Sequence, residues 1–271
     1  MTPTRFKVLK HFMRQRNGVT VPQMLQFFFG SSYANKAAGY IERTEKEDPY
    51  LKVYVRGVPD VLYYPMDIPE HSLHMSVVEC FDPQNWHFYE IPETKVRPDD
   101  IVVDCGAAEG IFGLKVYRHC KELYLIEPLP KFVRSLEKTF GVGGHAHILP
   151  FAISDRAFSA TISDADISSA ISETGSGDKI TVTTLDALFI DKNIPVSYLK
   201  ADLEGHDVKA LIGGEQLIRR YRPRIAITTY HDKNHADQIR DFLQSIVPEY
   251  KIYCKGIYQH TGSPVMLHAW V

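Results

Sequence analysis

The stretch VVDCGAAEG, residues 102–110, constrains the fold more than any other part of the chain. An apolar run, Ile101–Asp104, ends in an acid, turns at Gly106 and passes at Gly110 into a helical pattern carrying Leu114, Val116 and Tyr117. Gly106 permits the tight turn, and Gly110 permits close helix–strand contact. In a dinucleotide-binding turn a second glycine admits the pyrophosphate. Here that place is Ala108, and Asp104 stands where a phosphate would be repelled. An acidic loop of this kind suits a ligand with cationic groups.

From Asp99 onward the grammar is strand, helix, strand, helix. Strand patterns fall at Glu122–Ile126, Ala146–Phe151, Val196–Ala201 and Arg224–Thr229, and helices at Pro130–Phe140, Asp207–Tyr221 and Asn234–Val247. Gly213-Gly214 is a weak point in the second of these helices. The chain closes with strands Tyr250–Tyr258 and Pro264–Val271 around a turn at Gly262 and Ser263. The expected fold is therefore α/β and Rossmann-like: a mostly parallel seven-stranded sheet, helices on both faces, and an antiparallel last strand that ends the sheet as a reversed edge. Residues 163–179, rich in Ser, Asp and Gly, read as a solvated loop or as a lid near the site.

Residues 1–98 read as an N-terminal α+β appendage, a candidate region for substrate choice or oligomerisation, and residues 99–271 as the ligand-binding domain. Phe6, Leu9, Phe12 and Met13 share a helical face ringed by Arg5, Lys7, Lys10 and Arg14, suited to packing or to a membrane surface or partner. Thr20 and Gln23 have capping-box spacing with Pro22 just inside, so a second helix runs to Phe29. Leu51–Arg56 and Val61–Tyr64 read as a hairpin.

Lys and Arg number 31 against 33 for Asp and Glu, which argues against nucleic acid as the main partner. The 4 cysteines include no C-x-x-C pair and read as reduced thiols. With no membrane span and no apolar leader, the expectation is a cytoplasmic protein.

Further acids fall at strand ends. Glu127 lies twenty-one residues past Gly106, where an acid accepts hydrogen bonds from ribose hydroxyls, and Pro128 stiffens the exit. Asp202 ends the fourth strand, followed by Glu204 and His206; Thr229, Tyr230 and His231 end the fifth. Ligands of open α/β sheets lie at the carboxyl ends of the strands, so Asp104, Glu127, Asp202 and His231 should share one edge. Helix capping or a surface position would account for Asp202 and His206 equally simply. S-adenosylmethionine, with an ammonium, a sulfonium and no phosphate, fits such an edge.

VVDCGAAEG, LIEP, FAISD, TVTTLDALF, YLKADLEGHD and RIAITTYH, in this order, resemble the FkbM-type S-adenosylmethionine-dependent methyltransferases over roughly Asp99 to Asp232. The resemblance implies methylation of oxygen, on sugars, glycans or secondary metabolites. It also implies cofactor contacts from Asp104, Gly106, Glu109, Glu127 and the backbone at Phe151 and Ala152. Ala107 and Gly110 of the turn, Pro128 and Asp202 complete the candidate cofactor set. Ala107-Ala108-Glu109 departs from the Ala-Asn of many relatives.

Proton removal from an acceptor hydroxyl would fall to Asp202 or His231. Trp86, His87 and Tyr89 are either an acceptor wall or core. Related enzymes hold Mg²⁺ on acids after the fourth and fifth strands, but Tyr230-His231-Asp232 serves a hard ion poorly, so no required metal is expected. The alternatives are an NAD-dependent oxidoreductase and a non-catalytic adapter. The expected partner is a small-molecule or glycan hydroxyl acceptor, with a homo-oligomer also open.

Overall fold

The computed structural model describes residues 3–141, 144–162, 171–172 and 178–271. Most of 163–179, read above as a loop or lid, lies outside the described residues.

The chain begins with α1 (Pro3–Arg14), α2 (Val21–Phe29) and α3 (Tyr33–Ala37). The capping box of α2 forms: the Gln23 N–H donates to Thr20 Oγ1, and the Thr20 N–H donates to Gln23 Oε1 at 2.8 Å. The face expected of α1 needs correction. Val8 and Phe12, an i,i+4 pair, are buried against Val19, Met24 and Ile257, while Phe6 and Met13 are exposed. The helix docks on one narrow stripe, and the wider face anticipated from Phe6 to Met13 is turned partly outward.

Next come β1 (Ile41–Glu47), β2 (Tyr50–Val55) and β3 (Val61–Pro65), a three-stranded antiparallel sheet in which the anticipated hairpin is β2–β3. Then α4 (Glu70–Phe81) leads toward the α/β unit. These elements do not stand apart from it. Val53, Leu62, Leu73 and Val77 share a core with Leu114, Leu125 and Leu136, and the Tyr63 N–H donates to Thr139 Oγ1 at 3.0 Å.

The α/β unit opens with β4 (Ile101–Cys105), α5 (Ile111–Val116), β5 (Glu122–Ile126), α6 (Pro130–Phe140) and β6 (Ala146–Leu149). The strand expected over Ala146–Phe151 divides at Pro150, which has no N–H to give a ladder. Beyond it, β7 (Phe151–Ile153) joins β8 (Phe158–Ile162), β9 (Ile171–Ser172) and β10 (Asp178–Thr183) in a separate sheet ordered β7-β10-β8-β9.

The chain returns through α7 (Leu185–Phe189) to β11 (Tyr198–Ala201), α8 (Asp207–Ile212), α9 (Glu215–Tyr221), β12 (Arg224–Thr228), α10 (His235–Ile246), β13 (Lys251–Lys255) and β14 (Met266–Trp270). The anticipated weak point divides α8 from α9 at Gly213-Gly214, where a Cβ on Gly213 would meet the Ser154 carbonyl.

The main sheet has seven strands in the order β13-β14-β12-β11-β4-β5-β6. Neighbours from β12 to β6 are parallel, and β14 is antiparallel to both β12 and β13. The last strand is thus the reversed one, but it lies inside the sheet, and β13 forms the edge. Each face carries its own apolar core: Val102 belongs to one, Val103 and Cys105 to the other, following the two-residue period of a strand. The strand order reverses between β4 and β11, so a crevice opens at their carboxyl ends.

Gly110 (φ +89°) caps α5 with its Cα against Leu136 and Phe140. Gly110→Ala should destabilise the chain by about 1–3 kcal/mol, from strain and overpacking together. A urea midpoint equal to wild type would contradict this packing.

Candidate active site

The crevice floor is a charge pair. Lys200, third residue of β11, is in register with Asp104 on β4, and its Nζ lies 2.8 Å from Asp104 Oδ1. Both residues are buried, Asp104 completely. The Asp104 oxygens accept no aligned hydrogen bond, so Lys200 supplies their compensation. Burial raises the Asp104 carboxyl above its usual range even beside Lys200. Burial alone would lower Lys200, but Asp104 and Asp202 outweigh it and hold the ammonium above its ordinary value. Lys200 Nζ also donates to the Gly106 carbonyl at 2.7 Å, tying the pair to the turn.

The turn itself is tightly held by its own hydrogen bonds. Gly106 (φ +74°) has no room for a Cβ, which would clash with the Asp202 carbonyl. The Gly106 and Ala107 N–H groups donate to Ile126 O at 3.0 and 3.1 Å, and Gly110 N–H donates to Ala107 O at 2.8 Å. Ala108 adopts a left-handed conformation and donates its N–H to Glu127 Oε2 at 3.0 Å. These four N–H groups, which could otherwise turn to a phosphate, are therefore satisfied within the protein.

Glu127 follows β5 and is 5% exposed. Its Oε1 accepts the Leu129 N–H at 2.9 Å, so each oxygen holds one backbone donor and keeps further acceptor capacity. Burial pushes its carboxyl up to about 7, against the pull of those two N–H groups and Lys200.

Gly106, Ala107, Glu109, Glu127, Pro128, Phe151, Ala152 and Asp202 line one cavity. Asp104 and Gly110, also assigned to the cofactor above, are absent from its lining: Asp104 is the wholly buried half of the floor pair, and Gly110 packs against α6. Glu109 is buried, which raises its carboxyl.

Asp202 follows β11. Its Oδ2 accepts the Tyr89 hydroxyl at 2.8 Å, and its Oδ1 accepts the Thr228 hydroxyl at 3.0 Å. Burial would raise this carboxyl, but the surrounding groups hold it below its usual range. His87 lies 3.8 Å away, yet burial pushes it down to about 4. It is uncharged at neutral pH, so the cations favouring ionised Asp202 are Lys200 and His231.

His231 requires a correction. Its Nε2 lies 3.1 Å from Glu204 Oε2 and 3.9 Å from Asp202 Oδ1, and its Nδ1 lies 3.5 Å from Asp207 Oδ2. Burial would lower its pKa, but the adjacent Asp207 and Glu204 outweigh it and push it up to about 10. At neutral pH it is already protonated, so it is poorly placed to accept a proton. It is also absent from the cavity lining.

Several groups escaped sequence reasoning. Lys200 was detectable: a lysine inside the apolar strand SYLKA implies a buried partner. Met75, Ser76, Glu79 and Cys80 of α4 close the cavity from the N-terminal side, and nothing local marks them. Glu79 is half-buried, and desolvation together with the nearby Asp202 and Glu109 carboxyl groups holds its own carboxyl well above the usual range. A groove of about 700 Å³ adjoins the cavity, sharing Met75, Glu79 and Tyr230, and runs past Phe27, Trp86 and Tyr258. Trp86 stacks on Phe27 at 4.7 Å, while His87 packs edge-on to Tyr89.

This is the edge and the sheet order of class I methyltransferases. The methyltransferase FkbM domain matches residues 104–250, more than half of the chain, which therefore belongs to that family. No curated protein sequence matches it. The crystal structure of a methyltransferase FkbM from Methylobacillus flagellatus KT is similar at a TM-score of 0.51 and 18% identity, covering 74% of this chain and 52% of that one. This chain thus spans about half the length of that relative. An rRNA methylase from Streptococcus thermophilus is similar at a TM-score of 0.41 and 14% identity, over 73% of this chain and 95% of that one. Trm5b from Pyrococcus abyssi gives 0.45 and 9%, over 85% and 63%. Family membership sets aside the reading as an NAD-dependent oxidoreductase. Among the described residues, no helix is long and apolar enough to cross a membrane.

Lys200→Met should cost about 3–5 kcal/mol by stranding Asp104 as a buried uncompensated charge. Lys200→Met combined with Asp104→Leu should recover much of that loss in urea unfolding. Equal destabilisation of single and double variants would show that the pair does not act as a unit.

Proposed function

We propose that the chain transfers a methyl group from S-adenosylmethionine to a hydroxyl of a small molecule or glycan. The observation that carries this reading is the cavity's carboxyl lining. Glu109, Glu127, Asp202 and Glu79 bring carboxyl groups to it, and the Gly106, Ala107, Ala108 and Gly110 N–H groups of the turn are already paired within the protein. Such a lining favours a cationic, phosphate-free cofactor.

Glu127 would hold the two ribose hydroxyls with the acceptor capacity its backbone bonds leave free. Gly106 and Ala107 would let the ligand approach the β4 turn closely, with Pro128, Phe151 and Ala152 as apolar wall. Asp104 acts from below through Lys200. When bound, the cofactor supplies an activated methyl on a sulfonium leaving group. The protein must align the acceptor oxygen and receive its proton. Asp202 is the group we assign to that proton, since it faces the cavity while His231 is already charged. Tyr89 and Thr228 fix the carboxylate's orientation. The acceptor would enter by the aromatic groove, whose volume suits a ring-sized molecule and whose inner end meets the cavity at Glu79 and Tyr230. The N-terminal helices thereby contribute to acceptor choice.

Asp202→Asn should lower kcat by about 10²–10⁴-fold, a loss that persists at saturating cofactor. Transfer of a labelled methyl group to a sugar or phenolic acceptor is the measurement, and wild-type turnover in the variant would remove Asp202 from the role.

The cofactor's ribose should also report the state of Glu127. The ionised carboxylate is the better hydroxyl acceptor, so affinity should be full above pH 7. It should fall as pH drops through about 7, by up to roughly tenfold at pH 6. In Glu127→Gln the affinity should be weaker, by about 1–3 kcal/mol, and flat across that range. A wild-type profile that is flat would exclude Glu127 from the ribose site.

A further inference from the structure

Behind the catalytic edge lie three side chains that methyl transfer does not use. Asp207 is the first residue of α8, His231 follows β12, and His235 is the first residue of α10. Each offers one atom capable of ligating a metal, and the three atoms lie within 4.8 Å of one another. Asp207 is fully buried and His235 is 7% exposed.

The cluster is incomplete as a hydrogen-bonded unit. His235 Nδ1 and both ring nitrogens of His231 are buried without an aligned hydrogen-bond partner. The approaches of His231 to Asp207 and Glu204 are close enough for ion pairing but are not directed as hydrogen bonds. Leaving one buried polar group unpaired is unfavourable; gathering several around a buried carboxyl group points to a ligand that satisfies them together.

We propose that Asp207, His231 and His235 bind a divalent transition-metal ion of the zinc type. Two imidazoles and one carboxylate suit zinc, cobalt or iron, whereas Mg²⁺ and Ca²⁺ demand oxygen. Around a tetrahedral zinc the donor atoms stand about 3.4 Å apart, within reach of small rotations of these side chains. A surrounding shell already exists. Asp207 Oδ1 accepts the Leu203 N–H at 3.1 Å, and Oδ2 accepts the Gly205 N–H at 3.2 Å, which fixes the carboxylate and leaves lone pairs for the ion. On binding, the His231 Nδ1 proton leaves to solvent and the nitrogen lone pair goes to the metal. Nε2 keeps its hydrogen toward Glu204 and Asp202.

The ion therefore positions the ring beside Asp202 without touching the acceptor. The expectation of no required metal weighed only oxygen donors at Tyr230-His231-Asp232. The His231-x₃-His235 spacing and Asp207 together offer a mixed nitrogen–oxygen set instead. A second group, Asp202, Glu204 and His231, lies on the Nε2 side, but its Glu204 is exposed.

The test uses the metal-free full chain titrated with Co²⁺ and Zn²⁺, followed by visible absorption and calorimetry. One Co²⁺ per chain should bind with d–d bands of a four- or five-coordinate nitrogen–oxygen site, and Mg²⁺ should not displace it. His235→Ala, which removes a ligand, should weaken binding by more than the roughly 10–100-fold that losing an outer partner costs, and Glu204→Gln, which leaves an oxygen to accept from Nε2, should weaken it far less. Absence of Co²⁺ binding overturns the proposal, as does binding retained in His235→Ala. Binding lost in Glu204→Gln but kept in His235→Ala would put the ion in the other group, which equally overturns it. Ring-nitrogen NMR of the wild type removes dependence on variants that fold poorly: Zn²⁺ should move the His231 and His235 resonances, and unmoved resonances would refute the site.

Discussion

The ion pair between Lys200 and Asp104 is the constraint on which the site depends. It spans β4 and β11 where the strand order reverses, and it lies beneath the turn that opens the crevice. A lysine and an aspartate out of water are tolerated only because each supplies the other's compensation. Their position has consequences above the floor. Lys200 holds the Gly106 carbonyl, and Gly106 in turn leaves no space between its Cα and the Asp202 backbone. The two strand ends that carry the chemistry are thus locked to each other through one buried cation.

Around that cation the site is acidic, with each carboxyl group treated differently. Glu127 is dry but holds two backbone donors, so it titrates near neutrality. Asp202 has two hydroxyl donors and nearby cations and stays ionised. Glu79, half-buried beside Asp202 and Glu109, is pushed well above the usual carboxylate range against the pull of Lys200. Neighbouring carboxyl groups pushed apart in this way can accept, receive or donate at one pH, the pattern expected where proton movement accompanies group transfer.

Much of this was legible because it is local. The turn, the strand ends and the α2 cap are written in contiguous residues, and the glycines and acids fall where their conformation and chemistry are used. What escaped is long-range. Nothing within α4 reveals that Glu79 will face a cavity built by β4, β5 and β11. The tyrosine at 89 gains its role only when Asp202 arrives more than a hundred residues later. His231 reads as a proton acceptor in the sequence because nothing there brings Asp207 and Glu204 to its ring. The break at Pro150 is local and readable: a residue without an N–H inside an apolar run favours two strands over one. Lys200 was readable in the same way, as a charge inside an apolar run.

The central claim is that the acidic crevice takes a phosphate-free, adenosine-bearing methyl donor. Calorimetric titration of the chain with S-adenosylhomocysteine and, separately, with NAD tests it most directly. The account predicts saturable one-to-one binding of S-adenosylhomocysteine and no measurable heat from NAD. Saturable NAD binding with none for S-adenosylhomocysteine would contradict it.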